Sequence, residues 1–397
     1  MKVNDPKQVI VVGGGPGLCD RLRSLGAEIT LVDTRAGHDD ALVAIARRTF
    51  LVDYDDPSLV PLLQALHHES PFSAVLCLTE QGLLPAARIG EALGVPGLSP
   101  EVVGRTRDKF AMRSWLRDAA FSAVPCAVVR DAADIRKFGD EHGYPVIVKP
   151  RHGKGSEHVS CFRDAAAVST PADIADEYIA EAFLPGPEFS VEAFSCAGDH
   201  QVMAITGKFT QDTDPENPFV EVGHVVPAPV GPDVSAAMTA YVSEFLGVIG
   251  ISDGCSHTEL RMTPEGPEVI ETHTRVGGDS IPTLVRQATG HDLLDHLVDW
   301  SLHGVRPGKP VPTSAGAAAI RFFAPPPGTV TGVRGVQRWQ GHPGVVKLHL
   351  PLKVGDRIPT IKDSRTRVGY VVTTAPTAAA AIETCGEVIA GVRIDVG

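Results

Sequence analysis

The first hundred residues alternate short apolar runs with stretches of helical period. Val9–Val12 is a continuous apolar run of the kind buried on both faces of a parallel sheet, and Ile29–Val32 and Val75–Leu78 repeat it. Between them Leu18, Leu22 and Leu25 recur at helical spacing, and a further helix is predicted over Leu83–Leu93, stopped by Gly94. This βαβ rhythm predicts a doubly wound parallel sheet. From about Thr106 the texture changes. Amphipathic helices are predicted over Asp108–Ala119 and Ala132–Glu141, the second capped by Asp131, with strands over Val124–Val129 and Tyr144–Pro150. Ile179–Phe183, Glu188–Ser195 and Val202–Phe209 read as strands of antiparallel texture, Ala236–Gly247 as a helix, and His257–Met262 with Glu268–Glu271 as a hairpin around Thr263–Gly266. Helices follow over Ile281–Thr289 and Leu293–Leu302. A Pro/Gly-rich joint at Gly304–Pro310 then leads into short β segments with one Ala-rich helix, Thr377–Ile389, which reads as a separate small domain.

Composition narrows the class. The 397 residues suggest two to four domains at roughly 150 residues each, and 43% apolar with 21% charged residues excludes disorder, coiled coil and collagen. Acidic residues outnumber basic ones, 48 to 36, and the formal charge of -12 repels phosphate backbones, so no nucleic-acid partner is expected. The apolar runs are far shorter than the ~20 residues of a membrane span, and the first of them is too short for a signal peptide. Seven scattered cysteines without a CxxC pair read as reduced packing thiols in a cytoplasmic protein.

Three places carry chemistry. The glycines Gly13, Gly14, Gly15 and Gly17 with Asp33 downstream approximate a dinucleotide fingerprint, but the third glycine position is Leu18 and Pro16 interrupts the turn. A tight strand-to-helix turn is the plainer reading, and a nicotinamide-dependent oxidoreductase the alternative. Next, Lys149 ends an apolar strand and is followed by Gly153, Gly155 and Ser156. A lysine can hold phosphate as a point charge, and a glycine loop lets backbone N–H groups approach it. Standing alone, this is equally a hairpin turn with a surface lysine. Finally, Glu259 and Glu271 on paired strands face one side, and His273 and Arg275 share that face by the period-2 rule. Two carboxylates and an imidazole suit Mg²⁺–nucleotide; the plainer alternative is a solvated hairpin face of alternating charges.

Taken in order, these residues resemble an ATP-grasp enzyme over roughly residues 1–305. In that family a first lysine opens a helix after the N-terminal domain, matched by Lys109 in Asp108-Lys109-Phe110-Ala111-Met112-Arg113. The second lysine, before the mobile glycine loop, is Lys149. The family's hinge is matched by Glu181-Ala182-Phe183, followed by Gly186-Pro187-Glu188-Phe189-Ser190-Val191-Glu192. The resemblance implies that Glu181–Phe183 pairs with adenine and Glu188 with the ribose hydroxyls. The family's metal motif, Glu then Glu-x-Asn-x-Arg-x-Gly-Gly, is matched by Glu259, Glu271, Arg275, Gly277 and Gly278, with His273 in place of the usual Asn. Imidazole in that place admits Mn²⁺ beside Mg²⁺.

A narrower resemblance is also present. Phe219-Val220-Glu221-Val222-Gly223-His224 resembles ATP-grasp ligases acting on amino acids, where the His lies by the phosphates and the Glu near the substrate. The tail, with Ala319–Phe323, Gly328–Gly335 and Val354–Tyr370, looks like the C-terminal domain of the dipeptide-forming L-amino-acid ligases. Glu80, just beyond a strand's carboxyl end where open α/β sheets bind ligands, is a candidate for a substrate ammonium group; a first-turn acid of the next helix is its plainer reading.

The implied fold is α/β and α+β: an N-terminal doubly wound domain at 1–105, an ATP-grasp lid subdomain at 106–182, a large subdomain with the metal site at 183–308, and a β-rich α+β domain at 309–397. The implied chemistry is activation of a carboxylate as an acyl phosphate by ATP with Mg²⁺, then capture by an amine. Lys109, Lys149, Gly153, Gly155, Ser156, Glu181, Ala182, Phe183 and Glu188 would bind ATP. Glu259, Glu271 and His273 would bind metal, and Arg275, Gly277, Gly278 and His224 would serve the reaction. Glu80 and Glu221 would face the substrates, which the narrower resemblance makes amino acids; a homodimer is the assembly it suggests. The competing readings are a purine-pathway or carboxylase-like enzyme acting on another acid, and a nucleotide-binding module without turnover.

Overall fold

The computed structural model describes residues 6–153, 155, 157–170, 177–211, 219–309 and 316–397. Ser156 and most of the polar stretch 211–218 lie outside them.

The N-terminal unit carries β1 (Gln8–Val12), α1 (Pro16–Ser24), β2 (Glu28–Asp33), α2 (Asp40–Ile45), β3 (Arg48–Leu51), α3 (Leu59–Glu69), β4 (Phe72–Cys77) and α4 (Leu83–Leu93). Its sheet is parallel with strand order β3-β2-β1-β4. All five residues of β1 are buried, which is why that run is continuously apolar instead of alternating. The strand β3, a half-buried RTFL, carries too little apolar signal to be read in advance.

The glycine turn after β1 is tightly packed at Gly13. Gly13 has φ +75°, and a Cβ there would fall 2.0 Å from Thr79 Oγ1 and 3.1 Å from the Tyr54 hydroxyl. Tyr54 donates to Asp33 at 3.0 Å. Gly13 serves close packing against neighbouring side chains, which is the plainer reading of this turn, and neither of the two cavities described below includes it.

Helices α5 (Pro100–Arg107) and α6 (Lys109–Asp118) lead to an antiparallel lid sheet, β5 (Cys126–Val129), α7 (Ala132–His142), β6 (Val146–Pro150), β7 (Ser160–Phe162) and β8 (Tyr178–Ala182), in the order β5-β8-β6-β7. Then come β9 (Glu188–Cys196), β10 (Asp199–Thr210), β11 (Glu221–Val226), α8 (Pro232–Ile249), β12 (Gly254–Thr263), β13 (Gly266–His273), α9 (Ile281–Thr289) and α10 (Leu293–His303). The C-terminal segment adds β14 (Ala317–Phe322), β15 (Gly328–Arg334), α11 (Val336–Trp339), β16 (Val345–His349), β17 (Arg357–Ile358), β18 (Tyr370–Ala375), α12 (Ala378–Gly391) and β19 (Arg393–Val396).

The Pro/Gly-rich joint does not interrupt the sheet. β14, β18 and β16 extend the central sheet to eight strands, β13-β12-β9-β10-β11-β14-β18-β16, and β14 pairs directly with β11. Of the C-terminal strands among the described residues, β15, β17 and β19 form a separate three-stranded sheet. One face of the central sheet packs Phe245, Leu246 and Ile249 of α8 against Val191 and Leu260. The other packs Phe194, Met203 and Cys255 against Leu284 and Val285 of α9, and beside that cluster it carries charged and imidazole side chains such as Glu192, Lys208 and His257.

Candidate active site

Local sequence explains where the two lysines sit. Asp108 caps α6 by accepting from the Phe110 and Ala111 N–H groups at 3.0 Å, and this puts Lys109 at the helix's first position. On β6, Val146 and Val148 face the lid core, so Ile147 and Lys149 face the opposite way, into a cleft of about 890 Å³ between lid and central sheet. Lys109 donates to the Gly153 carbonyl at 3.0 Å and lies 2.9 Å from Glu271. Lys149 lies 2.5 Å from Glu181, whose other oxygen takes the Arg113 Nε–H at 2.8 Å. Burial opposes the Glu181 charge, but these two cations outweigh it and hold its pKa down at about 2.

The hinge meets its expected place but not in every detail. Glu181, Ala182, Phe183, Leu184 and Glu188 all line the cleft. The Glu181 carboxylate is spent on Lys149 and Arg113, and the Ala182 and Phe183 N–H groups are bonded to the carbonyls of Pro125 and Pro145. What the hinge offers is an apolar slot made with Ile147, Val159 and Ile270. Glu188 accepts from Arg261 at 3.2 Å and from Lys208 at 3.3 Å.

The acids of the hairpin stand as the register requires. β12 and β13 pair His257 with His273 and Glu259 with Glu271, and a bulge just beyond Glu259 takes up one extra residue. The Glu259, Glu271 and His273 donor atoms lie within 4.8 Å of one another. Two half-buried carboxylates and a buried imidazole fit a hard divalent cation, with the imidazole the softest member. Each acid already has a cation: Glu271 has Lys109, and Glu259 has Lys208 at 2.8 Å. Burial opposes both charges, yet the lysines and histidines outweigh it and keep both carboxyls well below the usual range. Glu188 goes the other way: burial, joined by Glu259 and Glu221, pushes it up despite Lys208 and Arg261.

His273 has both ring nitrogens engaged, Nε2 with Glu271 at 3.1 Å and Nδ1 with Glu80 at 3.0 Å. Glu80 also accepts from Arg275 at 3.1 Å and lies 3.4 Å from Arg107. Burial opposes its charge, but these neighbours hold its pKa at about 2. The structure therefore gives Glu80 to His273 and the two arginines instead of leaving it open to a substrate ammonium.

A second cavity of about 750 Å³ adjoins the first, and both are lined by Gly155, Glu157, Glu221, Glu259 and Glu271. Beyond that seam lie His224, His257, His273, Arg275, Gly278 and Asp279. The two glycines part company here. Gly278 faces open space, whereas a Cβ on Gly277 would come within 2.8 Å of His257 Nδ1, so Gly277 is a packing requirement.

Several residues of the site escaped the sequence reading. Lys208, with its side chain wholly buried, lies 2.6 Å from Glu221 as well as against Glu259 and Glu188. His257 bridges Glu192 at 2.9 Å and Glu259 at 3.1 Å; burial opposes its charge, but these acids raise its pKa to about 9. Period-2 alternation carried the signal for both, since Thr206 and Lys208, Glu188 and Glu192, and His257 and Glu259 each share a strand face. Arg113 gave a helical-face signal only, and Arg367 gave none.

Among the described residues no helix is long and apolar enough to cross a membrane, and all seven cysteines are free.

Three family models match parts of the chain. An ATP-grasp domain matches residues 163–283, an ATP-grasp N-terminal domain residues 21–97, and the L-amino acid ligase C-terminal domain 2 residues 321–397. An uncharacterized protein of Sinorhizobium fredii is 26% identical over 94% of this chain and 74% of its own length. Dapdiamide A synthase of Enterobacter agglomerans is 25% identical over 76% of this chain and 75% of its own. The crystal structure of an L-amino acid ligase from Bacillus licheniformis superposes with a TM-score of 0.81 at 22% identity, covering 98% of this chain and 99% of that one. The chain therefore carries an ATP-grasp N-terminal domain, an ATP-grasp domain and the L-amino acid ligase C-terminal domain 2.

Proposed function

We propose that this protein is an ATP-dependent carboxylate–amine ligase that activates a carboxylate as an acyl phosphate and joins it to an amine, with amino acids as substrates. The observation that carries the reading is the shared seam: two contiguous cavities meet at Glu221, Glu259 and Glu271, one with an apolar slot and two lysines, the other with arginine, histidines and a glycine turn. A nucleotide in the first cavity places its terminal phosphate at the seam, and a carboxylate in the second attacks it there.

Lys109 and Lys149 bind phosphate oxygens as point charges. The Lys109–Glu271 pair is a placeholder, and phosphate oxygens take over the ammonium when ATP enters. Glu259, Glu271 and His273 would hold the Mg²⁺, with Mn²⁺ as the alternative ion that the imidazole admits; bound there, it supplies positive charge to the phosphates. Arg275, fixed by Glu80, and the Gly278 N–H stabilise charge on the acyl phosphate and on the oxyanion of the transfer step. His224 and Glu221 stand on the acyl side. Gly153 and Gly155 line the cleft and close it, which keeps water from the acyl phosphate. A homodimer belongs to the same reading and is checked by the solution mass.

The test is ADP and phosphate release with ATP and Mg²⁺ across amino acids supplied singly and in pairs. Release that rises only with particular pairs, with a product of the dehydrated sum mass, is the expected result. Release with a non-amino-acid carboxylate instead would keep the phosphoryl chemistry and overturn the amino-acid assignment.

A further inference from the structure

The glycine loop between β6 and β7 is held at two places. At its near end the Gly153 carbonyl accepts from Lys109 at 3.0 Å. Farther along, the loop leans on the C-terminal segment. The Gly155 carbonyl takes a long bond, 3.4 Å, from the Ser364 N–H, and Arg365 Nη2 donates to the Glu157 carboxylate. Gly155 has φ +69°, and a Cβ there would lie 3.4 Å from Ser364 Cβ, so the two segments touch.

The C-terminal partner is itself fixed. Ser364–Thr366 form one helical turn capped by Asp363, whose carboxylate accepts from the Arg365 and Thr366 N–H groups at 2.9 and 3.0 Å. The same carboxylate lies 3.3 Å from Arg365 Nη2 and steadies the side chain that reaches Glu157. Just beyond the turn, the Arg367 side chain is buried. Its Nε–H donates to the Ser364 carbonyl at 2.9 Å, Nη1 donates to the Glu221 carbonyl at 3.1 Å, and Nη1 and Nη2 donate to Asp279 at 2.8 and 2.6 Å. This fork clamps the turn to the start of β11 and to the residue after Gly277–Gly278.

The contact lies at the seam. Gly155 and Glu157 line both cavities, and Ser364 and Arg365 line the second. The Arg365 and Glu157 side chains are 68% and 29% exposed, so the pair adds little to the stability of the fold. A pair of this kind shifts an equilibrium between two loop positions by about fivefold at most. What it governs is where the loop lies.

We propose that Glu157 and Arg365 are positioning residues that hold the glycine loop over the seam, and so decide whether amine or water captures the acyl phosphate. This rests on the ligase reading above. In the productive step the amine nitrogen bonds to the acyl carbon, the C–O bond to phosphate breaks, phosphate leaves with the electron pair, and the amine's proton is lost to solvent. With the loop released, a water oxygen takes the place of the nitrogen, the same C–O bond breaks, and the free acid returns. ATP is then hydrolysed and no amide forms.

The test uses the full-length protein, the amino-acid pair that turns over in the panel above and amine at its KM, and it counts ADP released per amide formed. A general loss of activity leaves that ratio unmoved. The wild type should stay near one. Arg365→Glu and Glu157→Arg, which each set like charges face to face, should raise the ratio at least about threefold. The double variant with both exchanges should return to within about 1.5-fold of the wild type, and Arg365→Lys should stay near it. Both side chains are partly exposed, so the variants should fold, and circular dichroism checks this. A ratio unmoved in both single variants overturns the proposal, as does a raised ratio that the exchanged pair does not restore. Excess ADP that persists with the acid omitted is hydrolysis of ATP itself and overturns it too. Wild-type protein that forms no amide with any pair overturns the ligase reading, and this role with it.

Discussion

The ammonium of Lys208 lies 2.8 Å from the Glu259 carboxylate, wholly buried beneath the seam where the two cavities meet, and Glu221 and Glu188 close around it. It is the charge that lets three acids share so small a space before any metal arrives. Burial opposes the ammonium, but the three acids raise its pKa well above the ordinary lysine value.

Lys208→Met should therefore be destabilising, by about 3–5 kcal/mol, because it leaves buried carboxylates facing one another. The metal-free melting temperature should fall, and Mg²⁺ should raise it more in the variant than in the wild type, since the ion then supplies the missing charge. Thermal denaturation with and without Mg²⁺ reads this. Equal Mg²⁺ shifts in the two proteins would show that Lys208 does not screen the metal site.

Lys149→Ala and Glu271→Ala should each abolish ADP release, by at least about a hundredfold, if phosphate binding and the metal site are what the proposal makes them. Lys149 is buried and Glu271 half-buried at the cleft, so the comparison needs circular dichroism to show that the variants fold. Folded variants releasing ADP as fast as the wild type, with acid and amine present, would sink the assignment.

His273→Asn restores the oxygen donor of the family pattern and should keep or improve Mg²⁺ use. The structure adds a second consequence. Imidazole spans Glu271 and Glu80, whereas the shorter amide reaches one of them, so Glu80 and Arg275 lose a partner. Activity profiles across Mg²⁺, Mn²⁺ and Co²⁺ separate the two effects. A variant inactive with every ion would mean that the link to Glu80 matters more than the donor atom.

What could be read in advance was local. β1, α4, the β12–β13 hairpin and α9 follow from periods and caps within a dozen residues, and Glu259 opposite Glu271 follows from pairing two strands. What could not be read was distant in sequence. Glu80 is 193 residues from His273 and Arg367 is 88 from Asp279, so no period links them. The continuation of the central sheet across the joint at 304–310 escaped for a similar reason, since a Pro/Gly-rich stretch marks a change of course but not where the chain returns. Lys208 and His257 lie between. Alternation put them on the charged face, yet a lysine in a strand reads as surface until the acids around it are placed.

The buried Glu181 predicts a pH dependence whose sign is fixed. Its folded pKa, about 2, lies below the ordinary 4.5, so its pairing with Lys149 and Arg113 stabilises the fold in full above about pH 4.5. As pH falls from there towards 2, protonation removes that contribution. Glu181→Gln keeps the shape but not the charge, leaving Lys149 without its acid and Arg113 with Glu268 alone at 3.7 Å, at a cost of about 3 kcal/mol at neutral pH. The gap between wild type and variant should be flat from pH 5 to 7 and shrink steadily below, because the remaining acids titrate alike in both and cancel in the difference. Urea unfolding midpoints across pH 3–7 measure it. A gap that stays constant down to pH 3 would mean that the amide fails through packing, and that the Glu181 charge contributes little to holding lid and helix α6 together.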